Sequence, residues 1–202
     1  MGVAEPSTRE RLMQAAGVAF ARVGYEAASI RSLSEGARTN IGAINFHFGS
    51  KQALYEAVLA SKLRSVSTAL RSLADQEKAG TPLEGLVSYL NCLFGVLRVD
   101  PDTASLLVQE LAGPRLPSKI TREVFREILQ HFTELVKEGQ AGGVVGGGDP
   151  ALLGMSAFSQ PIFFAIAERN LTSDLPGHES DCQAVPMIVD HMERYVRAAL
   201  AP

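Results

Sequence analysis

The sequence predicts an all-α protein, and three observations support this fold class. Apolar residues recur at helical spacing along most of the chain, sustained period-two alternation is absent, and glycine or proline separates successive periodic segments. The chain has 202 residues, 46% of them hydrophobic and 20% charged, which is enough apolar material for a folded core. We therefore predict about nine helices and no sheet.

Four of these helices are predicted in the N-terminal part of the chain. The first covers residues 8–23, the second starts at Ser29, and the third begins near Asn40. Ser50 caps a long fourth helix that Gly80 ends.

Five further helices follow, and most of them begin at a proline or at a capping residue. Thr81-Pro82 opens the fifth, residues 105–111 form the sixth, Pro117-Ser118 starts the seventh, Asp149-Pro150 opens the eighth, and residues 186–200 form the ninth. Proline suits the first helical position because an N–H group there has no partner within the helix.

Charge is distributed unevenly along the chain. Residues 1–51 contain six basic and four acidic residues, whereas the remainder contains 13 basic and 18 acidic residues. The N-terminal part is therefore mildly basic, although the net charge of the whole chain is −3. This asymmetry is a weak sign of an anionic partner at the N-terminus.

Helix-turn-helix spacing appears in the segment SIRSLSEGARTNIGAINFHFGSKQAL, residues 29–54. Two short helices are joined by a tight turn near Arg38 and are followed by a longer helix. In the second short helix, Ile44 and Phe48 are predicted to face inward and Asn45 outward. Such a helix can lie in the major groove of DNA.

The predicted DNA contacts follow from the chemistry of these side chains. Asn45 can pair bidentately with an adenine edge, and Gly42 allows close approach to the groove. Arg31, His47 and Lys51 can contact phosphates, as can the start of the helix that Ser29 opens. The predicted DNA-binding residues are Ser29, Arg31, Asn40, Ile41, Gly42, Asn45, His47 and Lys51.

Residues 8–60 resemble the DNA-binding domain of the TetR family of transcriptional regulators. The chain departs from the family pattern at Arg38, where glycine is usual, at Thr39, where valine is usual, and at Asn45, where tyrosine is usual. Because residues other than glycine disfavour positive φ, Arg38 raises a question about the turn. The matching positions are Ser29, Arg31, Leu33, Ser34, Ala37, Asn40, Ile44, His47, Phe48, Ser50, Lys51 and Leu54.

The C-terminal body is more weakly similar to the CecR-like branch, through QELAGPRLPSKITREVFREIL together with the recognition-helix segment. The resemblance implies a helix-turn-helix DNA-binding domain over residues 1–52 and a helical ligand-binding and dimerisation domain over residues 53–202. It also implies a homodimer that binds double-stranded operator DNA and a small-molecule effector. Helices four to seven would form the ligand cavity, and helices eight and nine the dimer interface.

The candidate ligand-binding residues lie on helices five to seven, which combine apolar stripes with a few polar groups. The alternative is that these aromatic side chains simply close a solid core. Helices eight and nine carry more apolar surface than one small body can bury, which predicts an isologous dimer. The ligand candidates are Asn91, Phe94, Gln109, Phe125, His131 and Phe132. The interface candidates are Leu153, Phe158, Ile162, Phe163, Ile188, Met192 and Tyr195.

Other functional classes have less support. No catalytic constellation is visible, and we expect no enzyme activity and no cofactor. The glycine-rich segment 142–148 lacks the strand and the Lys-Ser/Thr of a phosphate-binding loop, so we expect a flexible connection. We expect no metal site, because the potential ligands lack paired spacing; they are His178, Glu179, Asp181, Cys182 and His191.

The expected location is the cytoplasm. The N-terminus has no apolar signal segment, and the stretch 151–167 is too short to span a membrane. The leading hypothesis is a ligand-responsive repressor that a small apolar or aromatic molecule releases from its operator. The alternatives are a helical protein-interaction module and an all-helical enzyme without DNA binding.

Overall fold

A computed structural model describes residues 5–76, 80–113, 116–171 and 181–202, and all regular structure within these ranges is helical. This confirms the all-α prediction, with nine helices in the described part of the chain. They are α1 (Thr8–Ala27), α2 (Ile30–Gly36), α3 (Gly42–Phe48), α4 (Lys51–Gln76), α5 (Pro82–Val99), α6 (Pro101–Ala112), α7 (Lys119–Ala141), α8 (Pro150–Leu171) and α9 (Asp181–Ala199).

Side-chain caps fix the starts of several helices. Ser7 and Glu10 form a reciprocal capping box at α1, and Thr81 and Glu84 form another at α5. The backbone hydrogen bond that each glutamate accepts from its capping residue lowers the pKa of its carboxyl group. Asp149 accepts hydrogen bonds from two backbone N–H groups at the start of α8. Short-range capping signals therefore place these helix starts.

Some helix limits differ from the prediction. α1 extends to Ala27 but contains a non-helical residue at Gly24, where φ is 81°. α6 begins at Pro101 instead of residue 105, and the Thr103 hydroxyl donates to the Asp100 carboxylate across this start. α9 begins at Asp181 and includes Pro186, the predicted first residue.

The chain packs into two compact units. One comprises Met1–Arg64 and Ser105–Arg122, and the other comprises Ser65–Ala104 and Glu123–Pro202. The first unit thus contains more of the chain than the predicted DNA-binding segment, residues 1–52. The division of function at residue 52 stays a prediction.

The core of the first unit joins the first three helices to α4. Leu12 and Phe20 of α1, Leu33 of α2, Ile44 of α3 and Leu54 of α4 are all fully or almost fully buried in one cluster. Leu106 of α6 belongs to the same cluster. These apolar side chains hold the short helices α2 and α3, which are too short to be stable alone.

In the second unit, α8 packs mainly on α5 and also contacts α9. Gly154 of α8 lies so close to α7 that an added Cβ would sit 3.3 Å from atoms of Phe132 and Thr133. This close approach explains glycine at position 154. Phe158 and Ile162 on the same helix are buried.

By length and composition alone, the segment Pro150–Glu168 of α8 is apolar enough to cross a membrane. This differs from our expectation that the stretch is too short. The core helices of soluble proteins pass the same test. The burial of Phe158, Ile162 and Ala165 within the second unit agrees with a core helix.

The glycine-rich connection between α7 and α8 is anchored, although we predicted a flexible one. Val145 is buried, and the backbone N–H of Gly146 donates to the carbonyl oxygen of Leu200 at 2.8 Å. The side-chain amide of Gln140 donates to the carbonyl oxygens of Gly146 and Gly148. These bonds attach the connection to the end of α9 and to α7.

Candidate nucleic-acid interface

The helix α3 is anchored by one buried face. Ala43 and Ile44 are buried in the core of the first unit, and Phe48 packs against that core while remaining partly exposed. The guanidinium group of Arg9 lies 5.1 Å from the centre of the Phe48 ring. The inward orientation predicted for Ile44 and Phe48 is therefore observed, and it fixes the opposite face of α3.

The outward face of α3 combines polar, small and apolar groups. Asn45 and Gly42 are exposed, as expected for residues that approach a groove, and Ile41 before the helix is 58% exposed. Phe46 was not among the predicted contacts, yet its side chain is 85% exposed. The sequence signal that could have identified Phe46 is an aromatic residue directly after Asn45, at a position where the family pattern specifies no residue type.

Ser29 and Arg31 at the start of α2 already have partners within the chain. The Ser29 hydroxyl accepts a hydrogen bond from the backbone N–H of Ser32, so it caps the helix. The Arg31 Nε donates to the Glu35 carboxylate at 2.9 Å, and this hydrogen bond raises the pKa of the guanidinium group. Both pairs are exposed. A DNA phosphate would therefore compete with the Glu35 carboxylate for the Arg31 guanidinium group.

The turn between α2 and α3 forms in spite of the arginine at its centre. Arg38 has a φ of 53°, the left-handed conformation that glycine adopts more easily. The backbone N–H groups of Arg38 and Thr39 donate to the carbonyl oxygens of Glu35 and Ser34, which completes the turn. The turn geometry that Arg38 placed in question is thus present.

Lys51 and His47 flank the end of α3. The Lys51 ammonium group lies 4.3 Å from the centre of the Tyr25 ring and 3.5 Å from the carbonyl oxygen of Glu26. The His47 ring makes an edge-to-face contact with Phe46, with ring centres 4.9 Å apart. Together with Asn40 on the exposed side of the turn, these residues lie around α3 as predicted, and their contacts with DNA stay predictions.

The end of α6 and the start of α7 belong to the same packing unit as the helix-turn-helix. Glu110 accepts hydrogen bonds from the Tyr55 hydroxyl, the Ser118 backbone and the Thr121 hydroxyl. Burial and this bond to Glu110 raise the pKa of Tyr55 far above its usual value. Tyr55 therefore stays a neutral hydrogen-bond donor at physiological pH.

Gln109 does not occupy the position we predicted for it. Its side-chain amide donates to the carbonyl oxygen of Ala21 in α1 at 2.7 Å, within the first unit. It was expected to point into a ligand cavity of helices five to seven. The side chain instead bonds a backbone carbonyl of α1, three residues before the non-helical Gly24.

Two of the other ligand candidates are core residues of the second unit. Phe94 and Phe132 are buried, and Phe125 packs edge-to-face on Phe158 with ring centres 4.9 Å apart. The Asn91 amide donates to the Glu193 carboxylate at 2.6 Å. The burial of Phe94 and Phe132 agrees with the alternative of a solid core, and the ligand contacts of this aromatic set stay predictions.

A cavity of about 260 Å³ lies between α4, α5 and α7 within the second unit. Of the six ligand candidates, only His131 lines it, next to Tyr89, whose ring centre is 4.3 Å away. The Nε2 atom of His131 is buried and has no hydrogen-bond partner within the described residues. The remaining lining residues are Ser67, Leu70, Arg71, Ala74, Glu127, Ile128, Gln130 and Glu134.

The predicted interface residues divide between the interior and an open face. Phe158, Ile162 and Met192 are buried within the second unit, so their own chain already covers them. They occupy the inner faces of α8 and α9, and their part in an interface stays a prediction. Phe163 and Tyr195 remain 62% and 54% exposed, while Leu153 and Ile188 are partly buried. Exposed Leu152, Met155 and Met187 extend the open face.

No group of three or more potential metal ligands occurs among the residues that the structure describes. His178 and Glu179 of the polar segment lie outside the described residues. The side chains of Asp181 and Cys182 are also outside the description.

Comparison with known proteins finds similarity in the N-terminal helices. A family model described as bacterial regulatory proteins, tetR family, matches residues 12–58. The A-factor receptor protein of Streptomyces griseus is 32% identical to this chain over 80 residues. That match spans 40% of this chain and 26% of the relative.

Solved structures extend the similarity to nearly the whole chain at the level of fold. A Clostridium perfringens protein described as a regulator of fatty acid metabolism has a TM-score of 0.76 at 19% identity, covering 95% of this chain and 99% of that protein. The fatty acid degradation regulator FadR from Bacillus halodurans has a TM-score of 0.68 at 20% identity, with 98% of each chain covered. Residues 12–58 are thus similar to the tetR-family model, and nearly the whole chain shares the fold of these solved structures.

Proposed function

We propose that the protein is a homodimeric repressor that a small molecule releases from its operator. The observation that carries the proposal is the two-sided α3, which buries Ile44 in a rigid core and exposes Asn45 on the opposite side. A helix held in this way can place Asn45 at a base edge in the major groove. Ser29, Arg31, Asn40, His47 and Lys51 surround it as candidates for phosphate contacts.

The open face of α8 and α9 supports the homodimer. Phe163, Phe164, His191 and Tyr195 form a chain of ring contacts between 5.8 and 6.3 Å along this face. A groove beside it is lined by Ser156, Ser159 and Gln160, among others, and the Gln160 Oε1 has no hydrogen-bond partner within the described residues. A second copy would cover the rings and supply donors to the groove.

The cavity of the second unit supports a small-molecule effector. Its volume is about 260 Å³. The smallest typical ligand-binding sites have volumes of roughly 300 Å³, so this cavity is close to that size. Leu70, Ala74 and Ile128 favour an apolar body, and His131 Nε2 offers one buried polar partner. The proposed effector is a small molecule with an apolar body for Leu70 and Ile128 and a hydrogen-bonding group for His131. Charged Arg71, Glu127 and Glu134 also line the cavity.

The position of α7 supports a coupling between effector binding and DNA affinity. The same helix supplies Thr121 to the Glu110 hydrogen bonds of the first unit and His131 to the cavity. A ligand shifts the DNA affinity only if it binds one conformation better than the other, and the coupling must be reciprocal. We also propose that the protein belongs to the CecR-like branch, because residues 109–129 resemble that branch.

The proposal is tested by selecting duplexes from a random DNA library with the purified protein. We expect enrichment of a two-fold symmetric site whose half-sites are about 34–36 Å apart, or a multiple of this spacing. Ligands found by thermal shift should then release the protein from the selected duplex. A dimer that enriches no DNA would favour the helical interaction module, and substrate turnover without DNA binding would favour the enzyme.

A further inference from the structure

Phe46 is the most exposed large hydrophobic side chain in the described part of the chain, at 85%. Removing a phenylalanine side chain from water is favourable, and this position forgoes that gain in the free protein. Polar residues would serve equally well on a helix face that only meets water. The exposed ring is therefore available to a partner outside the chain.

The location of Phe46 limits what that partner is. The ring follows Asn45 on α3, whose position is fixed by buried Ala43 and Ile44. Gly42 lies one helical turn before Phe46 on the same face and carries no side chain that would cover the approach. His47 contacts the ring from one side at 4.9 Å, which restricts its orientation.

The major groove presents one apolar group, the C5 methyl of thymine, and phenylalanine is among the residues that contact it. We propose that Phe46 packs on a thymine methyl group, so that each operator half-site contains a T·A pair beside the base that Asn45 reads. This inference rests on the proposed function, because it requires that α3 enters the major groove. It adds the chemical identity of one base pair to the predicted operator.

The test removes the methyl group and the phenyl ring separately. The wild-type protein first selects a duplex from a random library, and each thymine of one half-site is then replaced by deoxyuridine, which pairs identically but lacks the methyl group. We expect one or two replacements to weaken binding about three- to fivefold per methyl group, the value of one buried methylene. Phe46→Ala should weaken binding to the thymine duplex and lose the sensitivity to these same replacements.

Two controls separate this contact from other roles of the ring. Phe46→Ala should unfold at the wild-type temperature, because an exposed side chain contributes little to stability. Val18→Ala changes an exposed apolar residue of α1 and should leave both affinity and methyl sensitivity unchanged.

Three results would overturn the assignment. Unchanged affinity of Phe46→Ala for the selected duplex would show that the ring does not contact DNA. Full retention of methyl sensitivity by the variant would show that another residue reads the thymine. Failure of the wild-type protein to select any duplex would overturn the proposed function and this inference with it.

Discussion

The ammonium group of Lys51 lies 4.3 Å from the centre of the Tyr25 ring, at the junction between the start of α4 and the end of α1. The contact is of the cation–π type and holds the charge beside the exposed end of α3. Lys51 therefore has a structural partner in addition to its predicted phosphate contact. The two roles can be separated, because only the phosphate contact depends on salt.

We expect Lys51→Ala to weaken binding to all DNA sequences and to reduce the slope of log K against log salt. Each lost phosphate contact reduces the slope by about 0.9. Because a dimer loses two contacts, its slope should fall by about two. The measurement is a salt titration with selected and random duplexes. Lys51→Arg retains charge and cation–π contact and should preserve the slope. If Lys51→Ala lowers the unfolding temperature but leaves the slope unchanged, Lys51 contacts Tyr25 and does not contact a phosphate.

Asn45 should contribute specificity more than affinity. A bidentate contact with an adenine edge is worth about 1–3 kcal/mol of discrimination. We expect Asn45→Ala to lose roughly 5- to 150-fold on the selected duplex and much less on random DNA, measured by fluorescence anisotropy. Because Asn45 is exposed, the variant should fold normally. Equal losses on both duplexes would contradict base reading by this side chain.

Arg38 is strained by its backbone conformation, with a φ of 53°. The left-handed conformation costs about 1–2 kcal/mol for a residue with a Cβ atom, part of which is offset by the greater unfolded-state entropy of glycine. We expect Arg38→Gly to raise the free energy of unfolding by about 0.5–1 kcal/mol, measured by urea denaturation at fixed protein concentration. Arg38→Ala keeps the Cβ atom and should bring no such gain. Equal stability changes in the two variants would assign the effect to the guanidinium group instead.

The helix starts could be predicted because their signals are local. Ser7, Thr81 and Asp149 each cap a helix through hydrogen bonds to backbone groups within three residues. The helix-turn-helix could also be predicted, because apolar positions recur four residues apart within each short segment, at Leu33 and Ala37 and at Ile44 and Phe48. Neither inference requires knowledge of the tertiary structure.

The ligand candidates could not be sorted in the same way. Helical periodicity identifies an inner face, but it does not distinguish a side chain in a packed core, such as Phe132, from one beside a cavity, such as His131. The orientation of the Gln109 side chain depends on a carbonyl oxygen 88 residues away in sequence, which periodicity does not reveal. Phe46 was missed because an exposed aromatic residue breaks no periodic pattern.

Dimerisation should depend on the exposed residues of α8 and α9. Phe163→Glu places a charge at a position that is 62% exposed in one chain, so the chain itself should fold. In an isologous interface the charge occurs twice and remains buried, which should shift the protein to monomers at micromolar concentration. Light scattering measures the mass, and Val99→Glu introduces the same charge at an exposed position of α5 as the control. A monomeric wild-type protein, or a dimeric Phe163→Glu, would refute this interface.

The effector should be recognised through His131, whose buried Nε2 atom lacks a partner within the described residues. A thermal-shift screen of small, largely apolar molecules should yield ligands that stabilise the protein, by about 2.7 kcal/mol at a concentration 100 times the Kd. His131→Phe keeps a planar ring beside Tyr89 but removes the nitrogen, so these ligands should bind roughly 2- to 12-fold more weakly, as for one lost hydrogen bond. Gln109→Ala, which alters a former candidate outside the cavity, should leave the ligand Kd unchanged. Hits confined to polyanions or metal ions, or undiminished binding by His131→Phe, would contradict this cavity as the effector site, while the evidence for DNA binding by α3 would stand.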